Sequence, residues 1–419
     1  MTDFQVSIYI RTIKNYIDLY WPSMLIFIAI LGFISKSLYQ YPVGLMATFG
    51  LYQFIRQPKM IIEDKNLKLF SQIFLSIWLA MVIATFDAYQ FERALKTTSA
   101  YSRFFLAGIF IIPALSSDKR RIDWLVTGVA LLVSFWVIDA TLQFFIGVDL
   151  FGYSSIPGHM TGMFYPELQL PHICSVLSIF VFLFISYKAN SSCRFLLIVP
   201  LFFIVFLARR RATWLMLALS SIGFIFYLYL YNTNRSQLTK TLLKIILTIV
   251  LMFATTAVVY DPIRTRIINT MGLFSTSYET IDKATAFRLP IWETSIDILK
   301  ANKLNGIGPR GFRYAYPEYR NKDNHWRSQT HPHLLILEVL VETGIIGFLC
   351  YLIFLYLICK GFITNKHKQE LFPFIMPVLV AIFPLNAHMA FFGSVWSSMI
   401  WLLIYIYISK IRSLTITVS

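Results

Sequence analysis

The stretch HPHLLILEVLVETGIIGFLCYLIFLYLICK, residues 331–360, decides the fold class. Between Leu334 and Cys359 its only charged residues are Glu338 and Glu342. About 20 apolar residues suffice to cross a bilayer as a helix, so this run reads as a membrane span. A barrel strand would be shorter and would alternate in polarity. The rest of the chain repeats the pattern. Apolar segments fall at about 21–38, 41–55, 69–86, 101–116, 122–147, 170–187, 194–208, 212–231, 241–260, 334–359, 372–391 and 394–411. The second, fourth and seventh are short for a full crossing. Composition agrees. Of 419 residues, 57% are hydrophobic and 14% charged, and mean hydropathy is +0.64. A soluble domain carries about 25% charged residues, so soluble, disordered and collagen-like classes are excluded. The expected fold is all-α, a polytopic transmembrane bundle of about 12 helices. Residues 1–260 would hold helices one to nine, 261–333 a partly helical loop domain, and 334–419 the last three helices.

The net charge of +16 would raise nucleic acid as a partner of a soluble protein. In a membrane protein it reads instead as Lys and Arg in cytoplasmic loops, and no nucleic-acid partner is expected. With the N-terminus inside, the inner loops hold Arg56 to Lys68, Lys119 to Arg121, Lys188 and Arg194, Arg235 to Lys244, and Lys360 to Lys368. Both ends are then cytoplasmic. The first segment reads as a retained span, because MTDFQVSIYIRTIKNYIDLY is too polar for a cleavable signal. Cys174, Cys193, Cys350 and Cys359 show no metal-like or disulfide spacing.

Two regions break the charge pattern. Arg209, Arg210 and Arg211 fall on the outer side, between segments seven and eight. The outer stretch 261–332 holds eleven Lys and Arg, among them Arg288 in TAFRLPIW. Long loops are exempt from the charge bias, but this one is rich in cations. Within it, RLPIWETSIDILKAN reads as an amphipathic helix with Ile291, Ile296 and Leu299 among its apolar positions. A single interfacial arginine would be expected to snorkel to headgroups. Three together suit an anionic ligand, because guanidinium forks match phosphate oxygens and stay charged.

His331 and His333 precede a span that carries Glu338 and Glu342, four apart on one helix face. Carboxylates inside a span are costly, and are functional or paired. No HExxH spacing is present, so no metal site is expected. A histidine at the outer edge can serve as a general base. His333 adjoins the helix and can be held by it, whereas His331 precedes Pro332 and is expected to be extended and solvated. Glu338 either orients His333 or pairs with another helix. Gly344 and Gly347 would permit close helix approach.

In order and on one face, these residues resemble the O-antigen ligase and polymerase superfamily of polytopic membrane glycosyltransferases, most of all its ligases. His333 is followed eleven positions later by Gly344 and then by Gly347, as in the family run. Leu334 departs from it, since the family carries Asn, Ser or Gln there. RRRATWL supplies the family's arginine at the outer start of a span, best matched by Arg211. Arg288, Trp292 and NGIGPRGF match its loop pattern, and His159 in GVDLFGYSSIPGHMTGMF stands where a basic residue is common. The resemblance implies a GT-C-like bundle in the bacterial inner membrane, with the loop domain in the periplasm between helices nine and ten. It implies an O-antigen ligase of lipopolysaccharide biosynthesis that moves a glycan from undecaprenyl diphosphate to lipid A-core. The reaction would be inverting and metal-independent and would need no cofactor. His333 would be the base, Arg211, Arg288 and Arg210 would bind the diphosphate, and Glu338 and His331 would support them. A polymerase would use the same donor with a lipid-linked acceptor.

A transporter is the alternative of another class, with Asp139, His172 and Glu338 as its polar path; His388 is a further intramembrane histidine. The sequence shows no inverted repeat to support it. The two readings differ in geometry. An enzyme should gather Arg211, Arg288 and His333 around one outward cavity, and a transporter should place its polar groups near the midplane.

Overall fold

The structure is a computed structural model that describes residues 3–156, 159–187, 191–231, 235–322, 324–387 and 389–416. Among them the regular structure is helical, with two isolated β-bridges at Val148–Ser154 and Ile156–His159. The helices run in order as α1 (Asp3–Leu31), α2 (Gln40–Arg56), α3 (Met60–Glu63), α4 (Lys65–Phe86), α5 (Phe91–Ser116) and α6 (Lys119–Ile146). Then come α7 (Leu170–Tyr187), α8 (Ser191–Leu207), α9 (Arg211–Tyr231), α10 (Arg235–Val259), α11 (Asp261–Met271) and α12 (Tyr278–Ala284). The last are α13 (Leu289–Ala301), α14 (Phe312–Tyr319), α15 (Leu335–Ile363), α16 (Lys368–Ala381) and α17 (Ser394–Ile416).

Each of the twelve apolar segments falls on one of these helices. Among the described residues, eight are long and apolar enough to cross a membrane: α1, α4, α5, α6, α7, α9, α15 and α17. A ninth exists if α10 and α11, bent by 104°, form one broken span. Of the expected dozen, eight or nine thus pass as full crossings by length and composition among the described residues. The reason is reach. The 17 residues of α2 and the 14 of α16 rise about 26 and 21 Å, against a hydrocarbon core of about 30 Å. Segment eleven was expected to continue to residue 391, but α16 ends at Ala381, just before Pro384.

Local signals set the helix starts. Asp64 caps α4 by accepting from the Asn66 and Leu67 amides at 2.8 and 3.2 Å, and Asp118 caps α6 by accepting from Arg120. The bundle interior is dense in aromatics, with Trp136, Trp396, Trp401 and Tyr405 fully buried. Asp139, inside α6, accepts from the Leu150 and Met163 amides at 2.9 and 3.0 Å. It anchors the loop that follows its own helix.

A second, smaller core joins the loop domain to the bundle. Ile291, Ile298, Phe312 and Tyr316 pack with Leu337 and Val341 of α15. The amphipathic helix exists as α13, but Ile296 is exposed and Ile298 takes the buried place. Residues 291, 294, 295 and 298 follow the 3.6-residue period, and 296 lies off that stripe. Gly344 interrupts α15 with φ 65° and ψ −166°. The break frees the Ile345 and Ile346 amides, which donate to the Lys303 and Leu304 carbonyls at 2.9 and 3.2 Å. The glycine thus admits a loop, where close packing of another helix was expected.

Candidate functional site

The arginine turn lies between α8 and α9. Arg209 takes a left-handed conformation at φ 53°, which folds the chain back within three residues. Trp214 Nε1 donates to the Val205 carbonyl at 3.0 Å, and Thr213 Oγ1 to the Arg210 carbonyl at 2.7 Å. The two helix ends are clamped together, with the arginines at their junction.

A fourth arginine arrives from α11. The chain bends after α10, and Pro262 in the first turn of α11 restarts the helix where a missing N–H costs nothing. Arg266 then donates from Nε to the Arg209 carbonyl at 3.1 Å. In the sequence Arg266 is one of eleven cations of the loop, with no local feature that sets it apart.

Arg288 is placed by the end of α12. Ala286 and Phe287 both have positive φ, 62° and 59°, so the chain turns sharply before α13. Asp282 holds that turn. Its carbonyl accepts from the Phe287 amide at 2.7 Å, and its Oδ1 accepts from the Leu289 amide at 3.1 Å. Strained backbone of this kind persists where the surroundings over-determine it.

Arg209, Arg210, Arg211, Arg266 and Arg288 line one cavity of about 460 Å³, joined by His159. Among the described residues, none that lines it is acidic. Arg211 Nε and Nη2 are buried there without a hydrogen-bond partner. Burial, then the neighbouring Arg288 and Arg266, lower Arg210 to about 10. Burial, then Arg266, does the same to Arg288. Both stay charged at neutral pH. Burial, then Arg210 and Arg209, also lowers His159 and favours its neutral form. Such a cavity can take a multiply charged anion by paired guanidinium contacts.

His333 stands beside this cavity rather than in its lining. It has φ 56°, a conformation uncommon for a side-chain-bearing residue. Its Nε2 lies 3.2 Å from Gln329 Oε1. Burial, then the Arg288 and Arg210 charges, lower it to about 4. The imidazole is therefore neutral at physiological pH, as a base must be before it takes a proton. The segment around it is fixed from three sides. Trp292 Nε1 donates to the Pro332 carbonyl at 3.1 Å. The Leu335 and Ile336 amides, orphaned at the helix start, donate to the Asn386 and Pro384 carbonyls at 2.8 and 3.0 Å. Glu338 accepts from the Phe391 and Phe392 amides at 2.9 and 3.2 Å. Of the two roles open to Glu338, the geometry favours holding another element. It secures the same loop that caps α15.

His331 is corrected. It is buried, at 7% exposure, where a solvated position was expected. Its ring packs on that of His333 with centroids 4.0 Å apart, and its Nδ1 lies 2.9 Å from Thr330 Oγ1. The Trp292 bond to Pro332 folds the pre-proline segment inward. Arg288 is half-buried rather than a solvated loop charge. His172 is fully buried in α7, within range of the Arg210 and Arg288 charges. His388 and Lys188 lie outside the described residues. Among the described residues, no group of three or more His, Cys, Asp or Glu is arranged to hold a metal ion.

Residues 195–352 match a protein-family model described as O-antigen ligase. That segment contains Arg209 to Arg211, Arg266, Arg288, His333 and Gly344. A search of curated proteins gives no match to the chain.

Proposed function

From the premise that residues 195–352 carry an O-antigen ligase family domain, we propose that the protein is an O-antigen ligase. The match supports a multi-pass membrane enzyme of the ligase and polymerase type, acting on polysaccharide and lipid substrates. On this reading the donor is a glycan on undecaprenyl diphosphate and the acceptor is lipid A-core. Transfer occurs at the periplasmic face of the inner membrane.

One observation carries the reading: five arginines from three separate elements, Arg209 to Arg211, Arg266 and Arg288, line one cavity beside a neutral histidine. His333 removes the proton from the acceptor hydroxyl. The oxygen attacks the anomeric carbon, and the bond from that carbon to the diphosphate oxygen breaks with inversion. Negative charge grows on the diphosphate as it leaves. The arginines, Arg211 and Arg288 foremost, are already positioned to offset that charge, which is electrostatic stabilisation of the transition state. The donor is activated by its own diphosphate, so the scheme uses no nucleotide and no resident metal.

The transporter alternative loses support. Asp139 and Glu338 are both engaged by backbone amides that anchor loops, and the arginines gather at helix ends. The deciding experiment is a gene deletion followed by gel analysis of lipopolysaccharide and lipid-linked glycan. Loss of capped lipid A-core, with long lipid-linked chains persisting, is the expected result. A retained single-repeat cap would overturn the ligase reading in favour of a polymerase.

A further inference from the structure

A second group of arginines lies outside the cavity. We propose that Arg93, Arg310 and Arg313 form an acceptor site that binds a phosphoryl group near the lipid end of the acceptor glycolipid; this rests on the ligase reading above.

The three are assembled by backbone contacts. The Tyr89 amide, just before α5, donates to the Ile307 carbonyl at 3.0 Å. A Cβ on Gly308 would press on Ala88 and Ala94, so this loop lies directly against the start of α5 beside Arg93. Arg310 then turns the chain with φ 64°, and its amide donates to Glu342 Oε2 at 2.6 Å. Arg313 follows in the first turn of α14.

Each side chain keeps an unused donor. Arg93 Nε, Arg310 Nη1 and Arg313 Nε are all buried without a hydrogen-bond partner. None of the three forms an ion pair among the described residues. The carboxylates facing them are Glu342 and, for Arg310, Glu338. Both Glu338 oxygens and Glu342 Oε2 already accept from backbone amides, and Glu342 Oε1, the one facing carboxylate oxygen left over, is one acceptor for three cations. Burial, then Arg310 and Arg93, depress Arg313, so the three cations are close enough to repel one another. A buried charged donor left unmade is costly, and three that converge are relieved by one ligand with several acceptor oxygens.

Position identifies the ligand. Arg93 is the third residue of α5, a candidate span, so it stands where headgroups lie. Glu342 is seven residues into α15, about 10 Å of rise beyond the helix start at Leu335, next to His333. The uninterrupted spanning part of α15 begins only after Gly344. A lipid-anchored acceptor whose outer sugar reaches His333 has its lipid-proximal groups near this depth. The first arginine cavity is taken by the donor diphosphate, which leaves the second for the acceptor.

The test uses the full chain in nanodiscs of phosphatidylcholine. The probes are lipopolysaccharide core glycolipid and the same material after phosphatase treatment. Wild-type protein is expected to bind the phosphorylated form about tenfold more tightly, the scale of one hydrogen bond to a charged group. Arg93→Gln and Arg313→Gln should lose that preference while binding the lipid diphosphate donor normally. Arg313→Lys, which keeps charge without the fork, should retain part of it and guards against misfolding. Equal binding of both glycolipids by the wild type overturns the proposal. So does complete displacement by phosphatidylglycerol, which would make the ligand a bulk headgroup, or by inorganic phosphate. Transfer is assayed separately. Phosphate-dependent binding without transfer would overturn the glycosyltransferase reading, and transfer without phosphate-dependent binding would overturn this site alone.

Discussion

Arg266 Nε donates to the carbonyl of Arg209 at 3.1 Å, tying α11 to the turn between α8 and α9. The bond fixes the arginine turn and leaves the rest of the Arg266 guanidinium to line the cavity. A hydrogen bond from a charged group contributes roughly 1.5–3 kcal/mol, with the lower figure apt for a half-buried residue. Arg266→Ala should therefore raise the KM for the donor about tenfold or more and lower kcat less. An unchanged donor KM in membranes with matched protein levels would remove Arg266 from donor binding.

Arg211 and Arg288 face the same cavity from α9 and from the start of α13. Lysine at either position keeps the charge and loses bidentate geometry. Both Arg211→Lys and Arg288→Lys should be strongly impaired in transfer with normal insertion. Near-normal transfer by both would return Arg211 to headgroup snorkelling and Arg288 to a solvated loop charge.

The apolar segments were legible because each helix face in a bilayer is apolar, and runs alone reveal it. Which of them cross was less legible, because α2, α8 and α16 are packed into the bundle despite their length. Arg211 stood out through three arginines on the side where positive charge is scarce. Arg266 did not, because a run of apolar residues does not reveal the 104° bend between α10 and α11 that delivers it. Its only local trace is the Asp261–Pro262 helix start. His331 misled for a similar reason. The proline before His333 predicts an extended residue, and the segment is instead tied at Pro332 by Trp292, forty residues away. Gly344 was noticed for its spacing, while its role as a break in α15 needed φ 65° to be seen.

The pH dependence follows from the charges around His333. Its free-state value is about 4, lowered by burial, Arg288 and Arg210. The base form is active, so kcat/KM for the donor, which reports the enzyme before donor binds, should stay flat through neutral pH and fall only towards pH 4. Bound diphosphate offsets the two arginine charges and thereby raises the His333 value. The acid limb of kcat, measured with donor saturating, should accordingly lie at higher pH than that of kcat/KM. Coincident limbs would show that the arginine charges do not act on the base.

Gly344 is expected to be intolerant of any side chain. Its φ of 65° with ψ of −166° is a region that is essentially glycine's alone. A Cβ there would also collide with the Leu304 carbonyl. Gly344→Ala should cost on the order of 1–3 kcal/mol in backbone strain and displace the 303–307 loop. A lowered thermal midpoint together with reduced transfer is the expected result. A fully stable and active variant would show that the loop docks elsewhere.

The two histidines give the sharpest test. Their rings lie 4.0 Å apart, so removing either disturbs the other. They differ in surroundings. His333 is within range of the Arg288 and Arg210 charges that line the donor cavity, while His331 is packed inward. Removing a general base typically costs about 10²–10⁴ in rate. His333→Ala should lose transfer on that scale and still bind the lipid-linked donor, because the arginines remain. His331→Ala should lose packing against its neighbour, which lowers rate less and leaves the shape of the pH profile unchanged. Added imidazole should restore part of the activity of His333→Ala, because it can occupy the vacated space and accept the proton, and it should not help His331→Ala. Transfer, donor binding and imidazole response are to be measured in membranes at matched protein levels. An active His333→Ala beside an inactive His331→Ala would assign the base to the wrong ring, and full activity in both would take histidine out of the chemistry.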